Sequence, residues 1–211
     1  MKRAPPGLWI PLTLACCGCA SAPVSYYTLI APAAASSAET VSTCCIIEIR
    51  NVRIPPQVDK PELVIRRSDE QFAVLSNDLW IAPLRDEVRG ALLDDIRGKL
   101  PPAQPGEGGR AQKFVIWVDV SRFESEPGRY ALIEAEWRIE PAPSLRSAAP
   151  GPKFAAPVCT TLAQVPIAGG VSDVVRGYRQ AISAVASSIT LKLRDAQQGG
   201  PAECPGPQPA G

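Results

Sequence analysis

The densest group of chemically capable side chains stands near the start of the chain. Cys16, Cys17 and Cys19 fill three of four consecutive positions within Leu12-Thr-Leu-Ala-Cys-Cys-Gly-Cys-Ala-Ser-Ala-Pro23. Thiolates this close could hold a metal or exchange a disulfide, but a metal site needs ligands converging from a folded frame. The flanks offer no such frame. Lys2 and Arg3 precede an uncharged run containing Leu8, Trp9, Ile10, Leu12, Leu14 and Ala15. A basic start and an apolar run of about ten residues make an export signal, roughly half of what a membrane-crossing helix needs. Pro5, Pro6 and Pro11 also oppose a stable spanning helix. Small residues ending in Gly18-Cys19, followed by Ala20 and Ser21, form the pattern that a bacterial lipoprotein signal peptidase cuts. Residues 1–18 thus read as a signal peptide and Cys19 as the acylated first residue of the mature chain, with residues 19–25 as its tether. Cys16 stands where that pattern usually has Leu, and the other readings are an ordinary cleaved signal or a different lipidated cysteine.

The remaining candidates for chemistry are few. Histidine is absent from all 211 residues, which excludes Ser-His-Asp and Cys-His nucleophile systems and HExxH zinc sites. Glu134 and Glu136 share one strand face at a spacing of about 6.6 Å, nominally within reach of a two-carboxylate hydrolase. Arg138 continues their row, so an ion-paired, solvated face is the simpler reading. No catalytic residue, cofactor or metal ligand is assigned. Cys44, Cys45, Cys159 and Cys204 are permitted disulfides in an exported chain. Adjacent Cys44 and Cys45 are a poor pair, and one of them with Cys159 is an allowed one, Cys45–Cys159 being the candidate. Buried, reduced thiols are the alternative. The leader carries two of the 22 basic residues and none of the 21 acidic ones, so the mature chain is near neutral. That gives no reason to expect a nucleic-acid partner.

The elements that position these residues follow from periodicity. Tyr26–Ile30 is β-prone, and residues 31–43 form a small, polar linker. Cys44–Ile54 is a β-branched strand stopped by Pro55-Pro56. Glu62–Arg67 and Gln71–Leu75 flank Ser68-Asp-Glu70 as a hairpin. Pro83 opens a helix whose Leu84, Val88, Leu92, Ile96 and Leu100 recur every four residues. Strands follow at Phe114–Val120 and Tyr130–Ile139, joined through Pro127-Gly128, and a further strand is expected within Lys153–Gln164. A second helix starts after Gly169-Gly170, with Val171, Val174, Tyr178, Ile182, Val185 and Ile189 on its apolar stripe. Both helices must cover one sheet face. The fold class is α+β, a two-layer sandwich with a mostly antiparallel or mixed sheet. The domain spans residues 26–195, and the Pro/Gly-rich residues 196–211 read as a disordered tail.

Exposed contacts are expected at four residues. Trp117 points away from the face that carries Phe114 and is a candidate for partner contact. Trp80, beside Pro83, is either a core plug or a second contact. Arg66 and Arg67 could meet an acidic partner or lipid headgroups, or simply face solvent.

Several stretches together resemble a known family. Tyr26-Tyr-Thr-Leu29 follows the lipidation pattern closely. Val52-Arg-Ile-Pro-Pro-Gln-Val-Asp-Lys-Pro-Glu-Leu-Val-Ile-Arg66 places a strand end at a proline, then a basic-Pro pair before a strand ending in Arg. Asn77-Asp-Leu-Trp-Ile-Ala-Pro-Leu84 is similar to a Trp-x-x-Pro-Leu helix entry, and the last helix is Ala-rich around Tyr178. In order and spacing these are similar to the ABC-type transport auxiliary lipoproteins, the paraquat-inducible protein C group, over roughly residues 19–195. Cys44-Cys45 and the Pro-rich 141–152 loop depart from that pattern. The resemblance implies a non-enzymatic lipoprotein on the periplasmic face of the outer membrane. It also implies a mammalian-cell-entry (MCE) domain partner in intermembrane lipid transport, and it is compatible with a homo-oligomer. An envelope-assembly or integrity lipoprotein binding a peptide or sugar polymer is the alternative.

Overall fold

The structure is a computed structural model that describes residues 22–32, 45–100, 112–142, 156–197 and 203–206. The signal peptide, Cys19, Cys44 and most of the 31–43 and 141–152 segments lie outside the described residues. Seven strands and two helices follow in the order β1 (Ser25–Tyr27), β2 (Cys45–Arg53), β3 (Glu62–Arg66), β4 (Phe72–Trp80), α1 (Leu84–Lys99), β5 (Gln112–Glu126), β6 (Tyr130–Pro141), β7 (Cys159–Pro166) and α2 (Val171–Gln197). The strands form two mixed sheets, β1-β4-β3 and β2-β5-β6-β7, with β1∥β4 and β2∥β5 parallel and the other pairs antiparallel. The α+β expectation holds, and the sheet is mixed.

Most elements form for the reasons visible in the sequence. Pro83 is the N-cap of α1, Asp86 and Glu87 sit in its first turn, and Arg97 and Lys99 in its last, matching the helix dipole at both ends. Leu100 leaves the helix in an extended conformation just before Pro101, as a residue preceding proline should. At the β5–β6 turn, Arg129 N–H donates to Glu126 O at 2.9 Å and Gly128 has φ 80°. Pro then Gly with positive φ is the type II order. Gly170, also at φ 80°, leads into α2, where Gly169 N–H donates to Asp173.

Three elements run longer than their sequence signals. β4 continues to Trp80, through residues that resemble a helix entry. β5 continues to Glu126 past a register shift between Val120 and Arg122. Before the shift, Phe114, Ile116, Val118 and Val120 are buried; after it, the inward residues are Phe123 and Ser125. An extra residue reverses the alternation, so simple period-two reading ends at Val120. α2 continues eight residues past Ile189, the last stripe residue read from the sequence.

The two helices pack on each other and on one face of the four-stranded sheet. Lys99 Nζ donates to Ser183 Oγ at 2.8 Å, and Arg194 donates to the Lys99 carbonyl. α2 approaches β6 so closely that a Cβ at Gly177 would lie 2.8 Å from the Ala131 methyl and 2.6 Å from Ile167. The core fills with Trp137, Tyr178, Ile116, Ile133, Ile182 and Ile189, and the Trp137 indole N–H donates to Thr161 Oγ1.

The cysteine pairing departs from the candidate. Cys159 is bonded to Cys204, not to Cys45. Cys45 and Cys159 lie on the two outermost strands of the four-stranded sheet. Three strand spacings alone put at least about 14 Å between them, twice the Cα reach of a disulfide at about 7 Å, and Cys159 is level with Val52 rather than Cys45 along the ladders. Residues 203–206 of the expected disordered tail are therefore fastened, and Lys192 Nζ also donates to the Glu203 carbonyl. Replacing Cys204 by Ser should lower stability by about 2–4 kcal/mol, read as a lower urea midpoint. Non-reducing peptide mapping should recover the Cys159–Cys204 peptide pair from the oxidised parent.

Candidate interaction surface on the uncovered sheet face

With both helices on one side, no helix among the described residues covers the other face of β2-β5-β6-β7. Alternation places Ile46 and Glu48 of β2, Trp117 and Asp119 of β5, Glu134, Glu136 and Arg138 of β6, and Leu162 of β7 on that face. At its centre a groove of about 220 Å³ is lined by Asn51, Arg53, Trp117, Asp119, Glu136, Arg138 and Val158. Trp117 is half-buried there, and the Arg138 guanidinium lies 4.9 Å from its ring centroid. That is a cation–π distance. Arg138 is kept in place by Glu140 at 3.0 Å. The Trp117 indole N–H is enclosed and meets no acceptor among the described residues. Arg53 and Asp119 pair across β2 and β5 at 3.3 Å. Val158 in the groove lining is exposed, and exposed Ile46 and Leu162 lie further along the same sheet face, opposite Lys113 and Glu134.

A charged cluster joins the two sheets. After the β5 shift, Glu124 shares the uncovered side with Arg122. Arg66 of β3 donates to Glu124 at 2.6 Å, and Arg122 donates to the other carboxylate oxygen at 2.5 Å. Arg66 also donates to the carbonyls of Ser68 and Asp69 and lies 4.4 Å from the Phe72 ring centroid. Burial alone would raise the Glu124 carboxyl, but the hydrogen bonds from Arg66 and Arg122 overcome it and hold the group below its ordinary value. Arg66 is correspondingly shifted up by its hydrogen bond to Glu124.

These positions sort the sequence-based candidates. Trp117 lies in the groove on the uncovered face. Trp80 is 5% exposed and packs 6.4 Å from both Phe123 and Tyr178. It is a core plug, which removes it from the contact residues. Arg66 is largely enclosed by its own partners and serves as a joint between sheets, whereas Arg67 is exposed at the hairpin. Glu134 faces Arg122 at 3.9 Å, and Glu136 is exposed in the groove wall. Arg138, Arg53 and Glu124 were not singled out in the sequence. Only Arg138 had a local signal, its place two residues beyond Glu136 on the same strand face.

The described elements make a small α+β domain with both helices on one face of its four-stranded sheet. The profile of the ABC-type transport auxiliary lipoprotein component family matches residues 27–190, and the chain belongs to that family. It is 24% identical over 128 residues to intermembrane transport lipoprotein PqiC of Escherichia coli K12, covering 58% of this chain and 67% of that protein. The Shigella flexneri protein of the same name matches equally. Two crystal structures share the fold. One, of an uncharacterised protein, is 18% identical with a TM-score of 0.58, over 82% of this chain and 99% of its own. The other, from Xanthomonas campestris, is 17% identical with a TM-score of 0.56, over 83% and 98%. Among the described residues no helix is long and apolar enough to cross a membrane.

The Glu124 cluster fixes a pH dependence. A carboxyl held lower in the folded than in the unfolded chain stabilises above its unfolded value, and that stability is lost as pH falls through the folded value. Stability should therefore drop from about pH 4 downward. Glu124→Gln should cost about 3 kcal/mol at neutral pH by leaving two arginines facing a neutral group. The variant should also lose part of the acid slope, measured by urea unfolding at several pH values.

Proposed function

We propose that this chain is a non-enzymatic, lipid-anchored periplasmic subunit of an intermembrane lipid-transport system. Its anchor is acylated Cys19 in the outer membrane, with residues 19–25 as the tether. Its task is to dock a membrane-spanning MCE-domain partner. Family membership and the name of the Escherichia coli relative support the transport context. Ala20 and Ser21 after the cysteine, in place of Asp, favour sorting to the outer membrane. A diacyl or triacyl cysteine holds because each buried CH₂ contributes about 0.8 kcal/mol and stable attachment takes two chains.

The observation that carries the docking role is the Trp117 groove. A rigid aromatic beside a cation in a concave, partly desolvated site is the composition that concentrates binding energy at protein interfaces. Groove charges of both signs suit a mixed polar strand or loop better than a nucleic acid.

Two measurements separate anchor from docking. The intact mass of the membrane-extracted protein should show acylation at Cys19, abolished by Cys19→Ala, with the wild-type chain recovered in outer-membrane fractions. Capture of an MCE-domain protein in a pull-down should fall about tenfold or more for Trp117→Ala. Arg138→Glu should act in the same direction, and Arg67→Ala should leave capture unchanged.

A further inference from the structure

Away from the groove, the end of the three-stranded sheet nearest the N-terminus carries an apolar patch that neither the core nor the docking site uses. Tyr26 of β1 is opposite Leu79 of β4 in the parallel ladder, and Tyr27 is opposite Trp80. Tyr27 and Trp80 face the core. Tyr26 and Leu79 therefore face outward, and Ile81, two residues past Leu79, shares their side. Val24, Tyr26 and Ile81 are 50%, 62% and 65% exposed. No charged residue occurs from Ala20 to Ile30 or from Leu79 to Ala82. Glu62, opposite Leu79 on β3, bounds the patch.

The direction of this segment is fixed. Ile81 N–H donates to the Tyr27 carbonyl at 2.9 Å. One residue on, Thr28 Oγ1 and Leu29 N–H both donate to Glu87 Oε2 at 2.7 Å. Glu87 is 2% exposed and sits in the first turn of α1. The chain thus leaves a rigid clamp and passes the patch on its way to the N-terminus. Only Ala20 to Pro23 separate Val24 from Cys19, a reach of about 17 Å when fully extended.

We propose that Val24, Tyr26 and Ile81 form a membrane-resting patch that seats the domain on the phospholipid surface beside its anchor. This rests on the reading of Cys19 as the acylated residue. With the acyl chains in the bilayer, the short uncharged tether holds this patch within reach of the headgroup boundary. Tyrosine suits that boundary because its ring is apolar and its hydroxyl wet. Seating there sets the domain's tilt, which a tether alone would leave free.

The test replaces the acyl anchor, so that it does not depend on acylation. The chain from Ala20 receives an N-terminal hexahistidine, unique because the protein has no histidine. It is then bound to phosphatidylethanolamine–phosphatidylglycerol vesicles containing a nickel-chelating lipid. Tyr26→Trp and, separately, Leu162→Trp on the far strand β7 supply reporters over the same native tryptophan background. Interface-depth doxyl lipid should remove about half of the emission added by Tyr26→Trp and leave that of Leu162→Trp intact. Adding Ile81→Asp to Tyr26→Trp should relieve the quenching, with circular dichroism unchanged. No quenching at Tyr26→Trp, or equal quenching at both positions, overturns the patch. Failure to find acyl chains on Cys19 by mass would instead overturn the anchor, leaving the vesicle result to stand.

Discussion

Tyr178 of α2 stacks on Phe123 of β5 with ring centroids 4.0 Å apart, and Trp80 from the end of β4 meets both rings at 6.4 Å. Three otherwise separate parts of the chain converge on this layer: the long helix, the four-stranded sheet and the three-stranded sheet. Trp80 also stands four residues before α1, so the same contact sets where that helix starts. Aromatic groupings of this kind add directional preference to a large buried area. The cost is the polar atoms they carry in. Burial pushes the Tyr178 phenol well up, with Ser125 the polar group set against it, so the hydroxyl stays protonated.

The layer exists because β5 slips register after Val120. Without the extra residue, Arg122 and Glu124 would point into the core and Phe123 out of it. The shift therefore does two things with one backbone irregularity. It supplies the ring on which Tyr178 stacks, and it turns Glu124 to the side where Arg66 and Arg122 can neutralise it. A buried carboxylate is expensive unless paired on both oxygens, and Glu124 accepts from a different arginine on each. The joint between the sheets is thus apolar on one side of β5 and ionic on the other.

What was legible in the sequence follows the range of the interactions involved. The stripe of α1, the strands at Phe114–Val120 and Tyr130–Ile139, and the Pro-Gly turn are local patterns and fall where the alternation puts them. For Trp80 beside Pro83 the local pattern offered both a core plug and a contact, and only the packing against Phe123 and Tyr178 decides for the core. Arg66 was not, because its partner is 58 residues away and becomes reachable only through the register shift. Cys159 could not be assigned to Cys204 for the same reason. Spacing alone permits several pairings, and only strand order places Cys45 at the opposite sheet edge. Trp117 was legible as outward-facing from period two alone, but the groove around it depends on Arg53 and Arg138 from neighbouring strands.

One-sided helix cover decides how such a domain can work. A four-stranded sheet with both faces covered would present only helix surfaces to a partner. Here the second face keeps a tryptophan held by Arg138 and charges that are mostly satisfied in place, such as Arg53 with Asp119. Prepaired surface charges contribute little net affinity, so the proposed recognition there leans on Trp117 and on Val158 in the groove lining. Preorganisation makes this workable: the Arg138–Glu140 pair and the antiparallel ladder under the ring hold it without further ordering on contact. Glu87 does the corresponding work at the other end, fixing Thr28 and Leu29 against α1. The proposed attachment role requires that position pass from the anchor to the docked partner. A continuous set of contacts runs from the Glu87 hydrogen bonds through the β1–β4 ladder and the aromatic layer to β5.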